Sequence, residues 1–182
     1  MIAVEAVKTK KGIEQVEQLL RKHGGDIYGE LWRFGVNTAL RISDMLNLEY
    51  ADVAGEELTL TEGKTKKVRT IRLNPTARRI VADRRERHPE HTWLFEVESN
   101  RAKGKAISRV TVATKFKEIG EVVGVKLGTH SCRKSRGWAM WSDGVPVEKI
   151  AMVLNHATPA VTMRYLGITQ EEVLQTYDDY EL

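Results

Sequence analysis

The chain has 182 residues, 41% hydrophobic and 30% charged, with 4 Pro and 14 Gly, which suits one domain with a real core and argues against disorder. Its single cysteine, Cys132, excludes an intramolecular disulfide, no run approaches the roughly 18 apolar residues of a membrane span, and Met1 to Lys11 lacks the apolar stretch of a signal peptide. A soluble intracellular protein is the expectation, and the net charge of +4 hints at an anionic partner.

Residues 11–23 place Ile13, Val16, Leu19 and Leu20 at helical spacing, closed by Gly24-Gly25. Residues 26–39 read as a second, largely buried helix around Leu31, Trp32 and Phe34; Asn37-Thr38 loosens it, and Ile42 to Leu48 resumes a helical pattern. Glu57–Thr61 and Val68–Leu73 are short β-like runs, and the polar, Gly-containing connection from Glu62 to Lys67 predicts a hairpin between them. Pro75 opens a strongly basic helix to about His88, since proline is tolerated in a first helical turn. Trp93-Leu94-Phe95 is expected as a third short strand, followed by a polar, basic loop over 96–107. Ser108 can cap a helix to about Val123, and Thr129 another through Trp141, ended by Asp143-Gly144. Pro146 begins a helix to about Leu154, and Thr158-Pro159 one to about Leu166. Thr169 with Glu172 has capping-box spacing for a last one. The expected fold is α+β, mainly α-helical, with a small three-stranded antiparallel sheet, as a single domain over residues 1–182.

The charge is unevenly spread. From Asn100 to Arg136 stand ten Lys or Arg (Arg101, Lys103, Lys105, Arg109, Lys115, Lys117, Lys126, Arg133, Lys134 and Arg136) against Glu118 and Glu121, whereas Gln170 to Leu182 holds five acids and no Lys or Arg. A basic middle points to a polyanion on one surface.

Four short features carry chemistry. His130 and Arg133 are three apart, so on a helix they share a face, where the arginine can fork onto two phosphate oxygens and the histidine can move a proton. Leu154-Asn155-His156 ends a helix and Tyr165 follows nine residues later; a phenol becomes a useful nucleophile only beside a base or cations. Arg41 interrupts a run that is apolar at Leu40, Ile42, Met45 and Leu46, so it must snorkel outward or occupy a prepared anion site. Lys64 sits on the hairpin tip, from which an ammonium can reach into a cleft. Each alone has a plainer reading, as helix surface, cap and buried aromatic, or solubilising turn.

In order and spacing the set resembles the active site of the tyrosine recombinases, or phage integrases. Arg133 lies 23 residues before His156, and Tyr165 nine after it, matching the family's usual spacing. TALRISDMLNLEYADV looks like the family's first-arginine motif and GKTKKVRTIRL like its lysine hairpin, and the likeness covers roughly 26–168. It departs where the family usually has Gly before the second His: this chain has Asn155, which tolerates the left-handed conformation of a helix C-cap. Family members usually also carry an N-terminal helical domain that clamps the far side of the DNA. No segment here is expected to be that domain, which leaves a separated catalytic domain or a short single-domain member.

The resemblance implies a site-specific recombinase with the catalytic fold of that family. Tyr165 would attack the scissile phosphate to leave a 3′-phosphotyrosyl bond, which a 5′-hydroxyl of a partner strand then attacks, with neither ATP nor metal nor other cofactor. Arg41 and Arg133 would hold the phosphate, His130 accept the tyrosine proton, Lys64 protonate the leaving oxygen and His156 donate a hydrogen bond. Lys66 and Lys67 share the turn and remain alternatives to Lys64. Lys66, Arg101, Lys103, Lys105, Arg109, Lys134 and Arg136 are candidates for further contacts with double-stranded DNA. A monomer in free solution that forms a tetramer on paired sites is implied, with an accessory DNA-bending protein as a possible partner and a nucleoid-associated place in the cytoplasm of a bacterial or phage-infected cell. The rivals are a type IB topoisomerase-like enzyme and a non-catalytic DNA-binding regulator of the same fold. Elsewhere, the arginines from Arg78 to Arg87 read equally as DNA contacts or a solvated face. Cys132 reads as a small packed residue, and His88 and His91 lack a convincing third and fourth metal ligand. Val173, Leu174 and Tyr177 form an apolar stripe that packs at home or docks on a neighbouring subunit.

Overall fold

The computed structural model describes residues 4–97, 99 and 104–179, without the side chains of Gln170, Glu172, Val173 and Thr176. Helix α1 (Lys10–Gly24) starts where the Thr9 hydroxyl accepts from the Gly12 amide and stops at Gly25, whose φ of 105° only glycine takes easily. Its buried stripe of Ile13, Val16 and Leu20 packs on α2 (Asp26–Thr38), where the Trp32 indole donates to the Ile13 carbonyl at 3.1 Å. Helix α2 ends on Ala39 in the left-handed region (φ 55°), which turns the chain so that Arg41 leads into α3 (Ile42–Met45). The helical run expected to Leu48 is thus a single turn of helix followed by tight turns.

Strands β1 (Glu57–Thr61) and β2 (Val68–Arg72) pair antiparallel with Thr61 opposite Val68. The expected third strand is not formed among the described residues: the sheet has two strands, and Trp93 makes an isolated bridge to Glu49. Its alternation fails because Leu94, Phe95 and Glu96 are all buried in succession. The segment is instead held by the Arg84 guanidinium on the Leu94 carbonyl and by the Glu96 carboxylate, which accepts from the amides of Thr92, Trp93 and Gly104.

Helix α4 (Pro75–Arg87) is capped by Asn74. Four of its five arginines turn out to be tied to the protein, while Arg79 is exposed. Arg84 is buried against Glu30 at 2.6 Å, Arg87 pairs with the same carboxylate, Arg85 lies over the Tyr50 ring and Arg78 pairs with Glu56. Helix α5 (Arg109–Val123) is capped by Ser108. In α6 (Ser131–Ser142) the cap falls on His130 and not on the expected Thr129, because the Ser131 hydroxyl takes the Gly128 amide. Three short helices follow, α7 (Val147–Val153), α8 (Pro159–Leu166), capped by Thr158, and α9 (Gln170–Asp179). The Glu172 half of the expected capping box and the Val173 part of the apolar stripe lie outside the described side chains; Leu174 and Tyr177 are exposed.

The main core runs from α1 and α2 through Phe95 to Phe116 of α5, and a smaller one joins Ala39 to Ile150, Leu154 and Leu166. Two glycines let helices approach. A Cβ on Gly35 would sit 2.9 Å from Cβ of Cys132, and one on Gly137 would sit 3.1 Å from methyls of Leu154 and Leu166. The first contact draws α6 onto α2, and the second draws α7 and α8 onto α6. Together they bring the segments bearing Arg41, Arg133, His156 and Tyr165 to one place.

Candidate active site

Arg133 is 2% exposed, and its Nη1 donates to the carbonyl of Ala39 at 2.8 Å. Its Nη2 is buried and makes no well-aligned hydrogen bond to the described residues. Arg41 leaves α2 just beyond that carbonyl, and its Nη1 lies 2.6 Å from Oε2 of Glu62 and 3.9 Å from Oδ2 of Asp44. Tyr165, on α8, is half-buried; its hydroxyl donates to the His130 carbonyl at 3.4 Å, its ring stands edge-on to His156 with centroids 4.9 Å apart, and the Lys134 ammonium lies 5.1 Å above it. His156 Nδ1 is 2.9 Å from the buried Thr162 hydroxyl, one turn along α8. A cleft of about 360 Å³ opens beside them, lined by Arg41, Ser43, Lys64, Arg109, Thr129 and His130. Lys64, Lys66 and Lys67 are all exposed, and it is Lys64 that lines this cleft.

The charges act on one another. Burial lowers the pKa of His156 to about 4, with help from Arg133 and Arg41. Burial also lowers that of His130, reinforced by Arg133, Arg109, Lys64 and Arg41. Both imidazoles are therefore neutral at pH 7, able to accept a proton or donate one hydrogen bond. Burial brings Arg133 down to about 10, and Arg41 adds to the effect. Burial pushes Tyr165 up to about 12 against the pull of Arg133 and Arg41, so the phenol is protonated at neutral pH.

Two polar residues of the site, Glu62 and Asp44, were not singled out in the sequence, and a third, Asn155, was read there only as a helix C-cap. Glu62 is fully buried at the start of the hairpin turn, Asp44 is buried on α3 and takes the Gly63 amide at 3.0 Å, and the Asn155 amide donates to Glu62 at 2.7 Å. The one local signal was the carboxylate three residues after Arg41, which a helical turn brings alongside. Glu62 carries no local signal, since a glutamate beside a Gly-Lys turn looks like an ordinary solvated residue.

The remaining basic candidates are dispersed. Arg109 lines the cleft, Lys66 and Lys105 are exposed, Lys134 is over Tyr165, and Arg136 lines a separate cavity with Arg69, Arg72 and Met152. Arg101 and Lys103 lie outside the described residues. Cys132 is buried under Gly35, and burial raises its thiol pKa, as suits a small packing residue. His88, Glu90 and His91 bring their ligand atoms within 4.8 Å of one another, but the two imidazoles stack 3° from parallel. An ion in the plane of one ring is then out of the plane of the other, so the geometry is wrong for a shared metal.

Comparison with known proteins bears on the family and the fold. The model of the phage integrase family matches residues 14–172. The chain is 33% identical over 180 residues to the probable integrase/recombinase YoeC of Bacillus subtilis (strain 168), covering 97% of each chain. It spans about half the length of several other curated relatives, among them integrases and a XerC. The fold is that of the XerA recombinase (TM-score 0.72, 15% identity, 100% of this chain and 65% of that one). It is also that of lambda integrase in a tetramer bound to a Holliday junction (TM-score 0.69, 13% identity, 91% and 49%).

Proposed function

The chain belongs to the phage integrase family of tyrosine recombinases, and we propose that it cleaves and rejoins DNA strands through a covalent bond from Tyr165 to a 3′-phosphate. The Tyr165 oxygen forms the new P–O bond as the bond to the 5′-oxygen breaks. Neutral His130 takes the phenol proton, and Lys64 gives one to the leaving 5′-oxygen. A 5′-hydroxyl then reverses the step on a new strand, so the phosphodiester energy is kept and neither ATP nor a metal is required. Arg41 and Arg133 stabilise charge on the non-bridging oxygens, and His156 adds a hydrogen bond.

The observation that carries this reading is the convergence of cations and phenol on Arg133, whose buried Nη2 makes no well-aligned hydrogen bond among the described residues and whose charge acts on the Tyr165 phenol. A buried guanidinium nitrogen left unsatisfied is costly unless an anion completes it. That favours a phosphate-binding enzyme over a regulator that merely kept the fold. Double-stranded DNA is the partner. A monomer in solution that assembles to a tetramer on paired sites is part of the proposal, by analogy with the lambda integrase tetramer on a Holliday junction. So are an accessory DNA-bending protein and a place on the bacterial nucleoid. Among the described residues no helix is long and apolar enough to cross a membrane.

The test is a nicked suicide duplex carrying the chain's own recombination site, incubated in excess chelator. A protein–DNA adduct in the wild type, absent in Tyr165→Phe, is expected. Cleavage that requires magnesium or zinc would replace this reading with a nuclease.

A further inference from the structure

We propose that Glu62 and Asn155 form a positioning bracket that fixes Arg41 and couples it to the segment carrying His156 and Tyr165. This rests on the recombinase reading and adds two residues to it. The carboxylate of Glu62 touches four groups from three parts of the chain. Oε2 meets Arg41 Nη1 at 2.6 Å, the Thr65 hydroxyl at 2.8 Å and Asn155 Nδ2 at 2.7 Å, while Oε1 takes Arg69 Nη1 at 3.2 Å. Arg69 in turn donates to the carbonyl of Val153 at the end of α7. The hairpin, the Arg41 turn and the α7–α8 connection are therefore joined through one fully buried side chain.

A buried carboxylate needs such partners, because desolvation is otherwise prohibitive. Burial alone would raise its pKa; the ion pair with Arg41 and the bonds from Thr65 and Asn155 outweigh that and hold it at about 2. It is thus anionic throughout the working range and grips one edge of the Arg41 guanidinium, restricting how the fork can turn. Asn155 has φ 47°, a conformation glycine would satisfy equally well. What asparagine adds is the amide that reaches Glu62. Its neighbour His156 is then held to the same carboxylate as Arg41, at a distance of one residue.

The experiment compares wild type, Glu62→Gln and Asn155→Gly. Single-turnover cleavage of the suicide duplex is measured at saturating DNA, with the Kd for DNA and the thermal midpoint of each protein. In parallel, arginine-¹⁵N NMR of the free protein follows rotation of the Arg41 guanidinium. Glu62→Gln should slow cleavage by about 10–100-fold, the usual scale for a misplaced catalytic group, with Kd changed less than about threefold. Asn155→Gly should slow it by about 3–10-fold and lower the midpoint modestly, because glycine takes the same left-handed conformation but the buried carboxylate loses one hydrogen-bond partner. Rotation of the Arg41 guanidinium should be slow in wild type and fast in Glu62→Gln. Unchanged rotation, or cleavage as fast as or faster than wild type in both variants, overturns the bracket; faster cleavage would mean that Glu62 competes with the phosphate for Arg41. A wild type that forms no adduct overturns the recombinase reading instead, while the rotation measurement still decides the bracket.

Discussion

Arg133 donates from Nη1 to the carbonyl of Ala39 at 2.8 Å, two residues before Arg41. One candidate phosphate ligand thereby holds the backbone that presents the other. The bond depends on Ala39 adopting φ 55°, which aims the carbonyl into the core while the chain reverses out of α2. A β-branched residue is very unfavourable there. Ala39→Val is expected to destabilise the fold by about 1–3 kcal/mol and to depress cleavage further than the lost stability explains. Urea titration and single-turnover cleavage check the two parts. A fully active, equally stable variant would contradict the arrangement.

Substituting either arginine by lysine tests whether planar forks are needed. Arg41→Lys and Arg133→Lys each keep the positive charge but lose the second parallel donor. Single-turnover cleavage should fall by about 10²–10³-fold in each, the usual scale for removing one oxyanion donor. DNA affinity should fall far less, since most backbone contacts lie elsewhere. Rates within a few-fold of wild type would show that a point charge suffices.

Stability should depend on acid in two stages. The pKa of His156 is lowered to about 4 when folded, so between pH 6.5 and 4 the unfolded chain binds more protons and stability drops as pH falls. Glu62, held at about 2, contributes stability that is whole above about 4.5 and is lost as pH falls towards 2. Thermal midpoints measured from pH 8 to pH 3 should therefore decline steadily below about 6.5. In His156→Gln the first stage should be shallower, with His130 leaving a remainder, since its pKa is also lowered. A variant that declines as steeply as wild type through that range would show that His156 is not held neutral.

DNA binding should be salt-sensitive. If five or six phosphates are met by cations such as Lys64, Lys66, Lys105 and Arg109, each adding about 0.9 to the slope of log K, raising salt from ~50 to ~200 mM weakens binding about 10³-fold. Gel-shift titrations at the two concentrations check this. A slope below half that value would mean that these cations do not meet the DNA.

Helix boundaries were legible where a cap and the periodicity agree: Ser108 and Thr158 accept from the amides expected of N-caps, whereas Thr9 and Asn74, which do the same, were not singled out. The failure at Trp93-Leu94-Phe95 is physical. Aromatic and apolar residues in a row fit either a strand or a segment entering the core, and the Arg84 and Glu96 bonds that settle it are long-range or belong to a turn. Tyr165 and the two arginines were legible as candidates from their spacing, because each sits on a different element. Glu62 was not, since its burial is created by Arg41, Arg69 and Asn155 arriving from 21 residues before it to 93 after it. Arg84 and Arg87 of α4 were ambiguous for the same reason, and Glu30 decides them.

The assignment of Tyr165 is tested most directly by mapping the trapped adduct. The covalent complex on a nicked suicide duplex is digested with protease and nuclease, and the nucleotide-bearing peptide is sequenced by mass spectrometry. The account places the phosphate on Tyr165, within the peptide that follows Arg164. A phosphate on Tyr177, Tyr180 or any other residue would contradict it.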